Sequence, residues 1–173
     1  MNALPDTRAL VAVGSNLDDP LEQLRRAAQA LQGLAATALF SSIYRTAPVG
    51  GPAGQPDFLN GVALLEPLPP WSQPDALLEA LLATERRQGR LRRERWGPRT
   101  LDLDLLALGS RSLQTLRLAL PHPRMMERAF VLAPLCELLP GWRHPLTGEG
   151  ACAALARVGL SGVERTRLVW SPR

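Results

Sequence analysis

Residues 101–106 read Leu-Asp-Leu-Asp-Leu-Leu, and this alternation narrows the folds open to the chain. Successive residues of a strand point to opposite faces. Leu101, Leu103 and Leu105 can therefore anchor one face in a core while Asp102 and Asp104 share the other. The two carboxylates then stand roughly 6–7 Å apart along the strand. A sheet that contains this strand must bury one side of it and leave polar groups usable on the other.

An arginine-dense stretch leads into that strand. Seven arginines fall between Arg86 and Arg99, and Trp96-Gly97-Pro98 follows most of them. Gly and Pro set the backbone path into the strand. Taken singly, a D-x-D pair is usually a solvated strand face, and an arginine run is usually a solvated or nucleic-acid-facing surface. Side by side they suit a polyphosphate with its Mg²⁺ ions: carboxylates hold the metal and guanidiniums hold phosphate oxygens.

The rest of the chain supplies a framework. Residues 8–14 read as a buried strand. Asp19 precedes Pro20 as a helix start, Leu21, Leu24, Ala28 and Leu31 follow at helical spacing, and Gly33 marks the stop. Residues 38–46 and 58–65 read as strands. Residues 74–89 read as a helix with Leu77, Leu78, Leu81 and Leu82 on one side, and 101–108 as a fourth strand. The order β-α-β-β-α-β predicts an α+β, ferredoxin-like sandwich with an antiparallel sheet and both helices on one face. A C-terminal extension follows: a short strand within 113–120, a helical stretch over 125–139 interrupted by Pro134, a helix over 151–158 and a closing strand over 167–170. Between the second and third strands lies a loop, 47–56, with three prolines and three glycines. It exceeds a tight hairpin, which fits a lid over a substrate.

Composition sets limits on the chemistry. The length of 173 residues, with 46% hydrophobic residues, predicts one domain over 1–173. No apolar run spans a bilayer and no signal peptide opens the chain, so a cytoplasmic location without membrane contact is expected. All twenty basic residues are arginine. Lysine chemistry, whether a Schiff base or a P-loop, is thereby excluded. Cys136 lies in an apolar stretch and reads as a core residue, Cys152 reads as part of a small-residue helix, and no disulfide is expected between them.

The stretch Arg95-Trp-Gly-Pro-Arg99-Thr-Leu-Asp102-Leu-Asp104 closely resembles the signature of the 6-hydroxymethyl-7,8-dihydropterin pyrophosphokinases of folate biosynthesis. Val13-Gly-Ser-Asn-Leu17, Tyr44-Arg-Thr46, Asp57-Phe-Leu-Asn60 and Pro121-His122 resemble that family's other blocks, in its order, over roughly residues 9–140. The resemblance implies transfer of pyrophosphate from ATP to the pterin hydroxymethyl group, with AMP leaving. It implies two Mg²⁺ ions on Asp102 and Asp104, and Arg90 and Arg92 as catalytic arginines on a mobile loop. Glu85, Arg90, Arg92, Trp96, Arg99, Leu105, Arg117, His122 and Arg128 match positions at or near the nucleotide. Thr46, Ala47, Val49, Phe58, Asn60, Trp96 and Phe130 match the pterin pocket, where Asn60 offers donor and acceptor together. The expected partners are ATP and the pterin, for a monomer that binds no nucleic acid.

Some positions depart from the family pattern. Ala47 stands where proline is common, an exchange expected to loosen the first turn of the loop. Phe58 replaces a frequent tyrosine, and Ala119 and Pro123 replace polar residues. The arginine loop is slightly shorter before Trp96. Two other readings share the fold pattern or the motif. An RNA-binding module stacks bases on aromatics in its central strands; here the first strand has no aromatic and Phe58 is alone in 58–65. A different Mg²⁺-dependent nucleotidyl- or glycosyltransferase using D-x-D would release other products.

Overall fold

The computed structural model describes residues 4–90 and 97–170. Strand β1 (Ala9–Ser15) leads into helix α1 (Pro20–Gly33), whose start is capped as its sequence predicts: Asp19 Oδ1 accepts from the Glu22 N–H at 3.1 Å. Strands β2 (Ala35–Phe40), β3 (Tyr44–Thr46) and β4 (Phe58–Pro67) follow, then helix α2 (Pro74–Arg87) and strand β5 (Asp102–Leu108). The extension comprises a β6–β7 hairpin (Leu113–Gln114, Ala119–Leu120), a 3₁₀ turn (Met125–Glu127), helices α3 (Ala129–Leu138) and α4 (Ala151–Val158), and strand β8 (Val163–Arg165).

The main sheet runs β5-β1-β4-β3-β8, with β2 also paired to β4, and every pairing is antiparallel. This is the expected ferredoxin-like core. Alternation along the strands builds two cores. Val11, Val13, Leu65, Leu103 and Leu105 pack with Leu24 and Leu31 of α1 and Leu77 and Leu81 of α2. Leu10, Val62, Leu64 and Leu106 pack on the other face with Val131, Leu132 and Leu135 of α3 and Ala151 and Ala154 of α4. The extension therefore adds a third layer on the face that carries the even-numbered residues of β1 and β4.

Four expectations need correction. The strand expected over 38–46 divides into β2 and β3. At the break the Ser41 hydroxyl accepts from the Val62 N–H at 3.0 Å and takes over a ladder bond from the backbone. The single strand expected over 113–120 is a hairpin with Arg117 in its turn. The closing strand lies at 163–165, paired with β3, and not at 167–170. That last stretch runs over the sheet with Trp170 donating to the Ser41 carbonyl at 2.6 Å. Finally, Cys136 and Cys152 are joined in a disulfide and Cys136 is only half-buried. Consecutive helices bring the last turns of α3 against the start of α4, with the two Cα atoms 5.2 Å apart, inside bridging range. Among the described residues, no helix is long and apolar enough to cross a membrane.

Candidate active site

Strand register assembles the site floor. Gly14 of β1 lies opposite Asp102 of β5 on one side and Asn60 of β4 on the other. One pleat along, Ala12 lies between Asp104 and Val62. All of these residues face the layer of α3 and α4. The central strand contributes almost no side chain there, so the acidic pair and the amide share one open surface. Gly14 cannot carry a side chain: a Cβ would stand 2.5 Å from Oδ1 of Asn60. Asn60 is held in turn, donating to the Thr46 hydroxyl at 2.6 Å, and both residues are almost fully buried.

The β5 end is dense in charge. Arg90 pairs with both Glu85 and Asp102, Arg99 with Asp102 at 2.6 Å, and Arg128 approaches Asp104 at 3.6 Å. Burial works against the Arg90 charge, but the Asp102 and Glu85 carboxylates overcome it and hold this guanidinium above its ordinary range. Arg128 is pulled the other way, chiefly by burial. Asp104 is pushed up to about 6, first by burial and then by the charge of Asp102 beside it; Arg128 and Arg90 only partly offset this.

Glu85 has a second duty. Its Oε1 accepts from the Leu103 N–H at 2.8 Å, so the end of α2 is fixed to the strand that carries both aspartates. His122 follows the β6–β7 hairpin, and its Nδ1 accepts from the Arg124 N–H at 3.2 Å. The proton of the neutral ring therefore sits on Nε2. Burial, followed by the neighbouring Arg128 charge, holds His122 below its usual range, which favours this neutral form.

Two cavities meet here. The larger, about 1160 Å³, takes in Thr46, Ala47, Val49, Phe58, Asn60 and Phe130, all expected in the pterin pocket. The smaller, about 480 Å³, lies along the edge strand β5 and takes in Glu85, Leu105, Arg117, Ala119 and Pro123. Arg90, Asp102, Asp104 and His122 line both. Arg117, which lines the smaller cavity, pairs with Glu79 of α2. Leu105 is 3% exposed and packs in the α1–α2 core. Arg92 and Trp96 lie outside the described residues.

Three contributors have no role in the sequence reading beyond a motif or a helix cap. Asn16 is 2% exposed; its amide donates to the Pro56 carbonyl at 3.0 Å and accepts from the Arg99 N–H at 2.8 Å. It thus ties the end of the proline-glycine loop to the exit of the arginine loop. Gly14 has a signal in the sequence, a glycine inside a buried apolar strand. The third is the segment 158–163, which lines the larger cavity and carries no motif.

Residues 10–140 match the model of the 7,8-dihydro-6-hydroxymethylpterin-pyrophosphokinase family. The chain is 47% identical over 160 residues to the 2-amino-4-hydroxy-6-hydroxymethyldihydropteridine pyrophosphokinase of Pseudomonas aeruginosa, covering 91% of this chain and 96% of that one. It is 41% identical over 157 residues to the enzyme of the same name from Synechocystis, covering 90% and 78%. The fold also matches a crystal structure of an HPPK-DHPS protein in complex with substrates, at TM-score 0.72 and 12% identity, covering 93% of this chain and 46% of that one. The chain thus spans about half the length of that solved protein. With a family match across three quarters of its length and relatives this similar over nearly all of it, the chain belongs to the 7,8-dihydro-6-hydroxymethylpterin-pyrophosphokinase family and is a pyrophosphokinase.

Proposed function

We propose that this chain transfers pyrophosphate from ATP to the hydroxymethyl group of 6-hydroxymethyl-7,8-dihydropterin, with Asp102 and Asp104 holding two Mg²⁺ ions. The single observation that carries this reading is the place of the acidic pair. It stands where the two cavities join, one glycine away from Asn60. The donors fit the ion: Mg²⁺ takes hard oxygens and uses one or two protein carboxylates together with substrate phosphates and water. No cluster of three or more His, Cys, Asp or Glu exists among the described residues. Bound there, Mg²⁺ neutralises triphosphate charge and polarises the phosphorus under attack.

The chain's own groups orient the reactants. The smaller cavity suits the nucleotide, with Glu85, Leu105 and Arg117 along its walls, and the larger suits the pterin. Asn60, fixed by Thr46 and Gly14, presents its amide to the pyrimidine edge, and Phe58, Phe130, Ala47 and Val49 enclose the ring. Arg90, Arg92, Arg99 and Arg128 take phosphate oxygens, and Nε2–H of His122 donates to another. Arg92 and Trp96, which lie outside the described residues, are assigned to the reactants by the family resemblance alone. The acceptor hydroxyl oxygen bonds to the β-phosphorus, the bond to the α-phosphate oxygen breaks, AMP leaves, and the hydroxyl proton passes to solvent. No side chain is required as base, because positioning and charge stabilisation carry most phosphoryl transfers. We read residues 1–173 as one such domain, acting as a cytoplasmic monomer; one core joins the sheet to α1 and α2 and the other joins the same sheet to α3 and α4.

The test is product analysis with ATP, Mg²⁺ and the hydroxymethyl pterin. AMP and pterin diphosphate should appear together, and Asp102→Ala should abolish both. ADP in place of AMP would show that a different group is transferred. Folded, ATP-binding protein that yields no product would remove the pterin as acceptor.

A further inference from the structure

We infer that the C-terminal segment 158–165 is a working wall of the larger cavity, and that it positions the root of the 47–57 loop through the Ala47 N–H. Val158, Gly159, Ser161, Gly162 and Val163 all line that cavity. Strand β8 pairs with β3 so that Val163 lies opposite Thr46. One residue further on, the Ala47 N–H donates to the Gly162 carbonyl at 3.1 Å and extends the ladder into the loop. Thr46, the neighbour of this rung, is the residue that orients Asn60. The rung therefore lies one residue from the acceptor contacts.

The wall is fixed from both sides. Toward α4, the Gly159 N–H donates to the Leu155 carbonyl at 2.8 Å. Toward the sheet, the Thr166 N–H and hydroxyl both donate to the Ile43 carbonyl, at 2.9 and 2.8 Å. Beyond it, the Trp170 ring covers Gly61, where a Cβ would stand 2.4 Å from Cζ2. The loop that it holds is the opposite kind of segment. Gly50, Gly51 and Gly54 take positive φ, and Val49 is 72% exposed.

A proline at 47 has no N–H to give, and its ring would press on the Gly162 carbonyl. The strand itself would accept proline, because Thr46 is already extended. Alanine at this position therefore tightens the loop root, contrary to the loosening expected from sequence. Gly162 suits this rung because its φ is +70°, a backbone conformation that side-chain-bearing residues rarely adopt.

The pterin consequence rests on the functional reading above, whereas the clamp does not, and the experiment separates them. Amide exchange over 46–56 and 158–165 is followed in ligand-free wild type, Ala47→Ser and Ala47→Pro, alongside KM for both substrates. Ala47→Ser keeps the N–H and should keep slow exchange in both segments. Ala47→Pro should speed exchange in both. It should also raise KM for the pterin roughly 3–10-fold, the scale of one backbone hydrogen bond, with KM for ATP moving less than about 2-fold. Exchange over 158–165 as slow as in wild type would overturn the clamp, and parallel rises in both KM values would overturn its acceptor-specific role. If wild type forms no AMP, the functional reading fails and exchange alone decides the clamp. Should Ala47→Pro not fold, Gly162→Ala, which strains the accepting carbonyl, should give the same exchange pattern, and wild-type exchange there would count against the inference.

Discussion

At the β5 end of the cavity floor, Asp102 and Asp104 face Arg90, Arg99 and Arg128. Two strands away, Asn60, Thr46 and Phe58 carry no charge at all. The difference lies in what each end must do when a ligand arrives. The charged end is internally compensated, so under the proposed function a nucleotide with its metal would have to exchange partners: guanidiniums would leave carboxylates for phosphates, and carboxylates would take cations. The neutral end needs no exchange. Its amide is already oriented by Thr46 and by the missing side chain at Gly14. One end is built for charge traffic and the other for shape, and β1 keeps them on one surface by contributing only Gly14 and Ala12 between them.

The largest expected effects are at the charged end. Asp104→Asn should lower turnover by about 10³-fold or more, the scale of losing a principal source of transition-state charge stabilisation. Its effect on ligand-free stability should have the opposite sign. The native value of about 6 lies above the ordinary 3.8, so the ionised carboxylate is disfavoured in the fold. Stability from this group is therefore complete below about pH 4 and is lost as pH rises through about 6. In chelator, wild type should melt at a higher temperature at pH 5 than at pH 7, and Asp104→Asn should flatten that difference. Mg²⁺ should displace the proton, so turnover at limiting Mg²⁺ falls below pH 6 and saturating Mg²⁺ moves the fall to lower pH. A melting temperature without this pH dependence would remove the charge-traffic description of the β5 end.

The neutral end should respond to bulk. Gly14→Ala places a methyl against Oδ1 of Asn60, a buried side chain with a fixed partner. Overpacking of this kind costs about 1–3 kcal/mol. If Asn60 swings away to relieve it, KM for the pterin should rise about tenfold while ATP binding, read by equilibrium titration, changes little. A parallel loss of ATP affinity would mean that the strain spreads to Asp102 across β1, and the two ends could not be treated as separate.

Much of this arrangement is legible in the sequence because it is periodic or local. The Leu-Asp alternation specifies a strand with the acidic pair on one face, and Asp19-Pro20 specifies the start of α1. What escapes depends on long-range pairing. Ser41 replaces a backbone partner of Val62, a substitution that no local pattern of small polar residues announces. The segment 158–163 becomes a cavity wall only because β8 adds to β3, and a strand of three residues leaves too short a period to recognise. The Ala47 contact escapes for the same reason: its N–H donates to the Gly162 carbonyl, far along the chain. The expected compartment argues against a disulfide, whereas the helix-to-helix approach that allows it is a property of the fold.

The smallest predicted effect concerns Phe58, where the family resemblance leads one to expect tyrosine. The ring begins β4 opposite Thr46, and the Arg99 guanidinium lies 6.0 Å from its centroid. Packing and the cation–π contact come from the ring, and the latter is worth about 0.5–1 kcal/mol at an accessible site. A hydroxyl adds little to either term. Phe58→Tyr should therefore change KM for the pterin by less than about 3-fold, and Phe58→Ala should change it several times more. Phe58 also lies where the two ends touch, since Arg99 spans from its ring to Asp102. If Phe58→Ala also raises KM for ATP, the aromatic ring is part of what holds Arg99 in place, and the boundary between charge and shape runs through this residue rather than through Gly14.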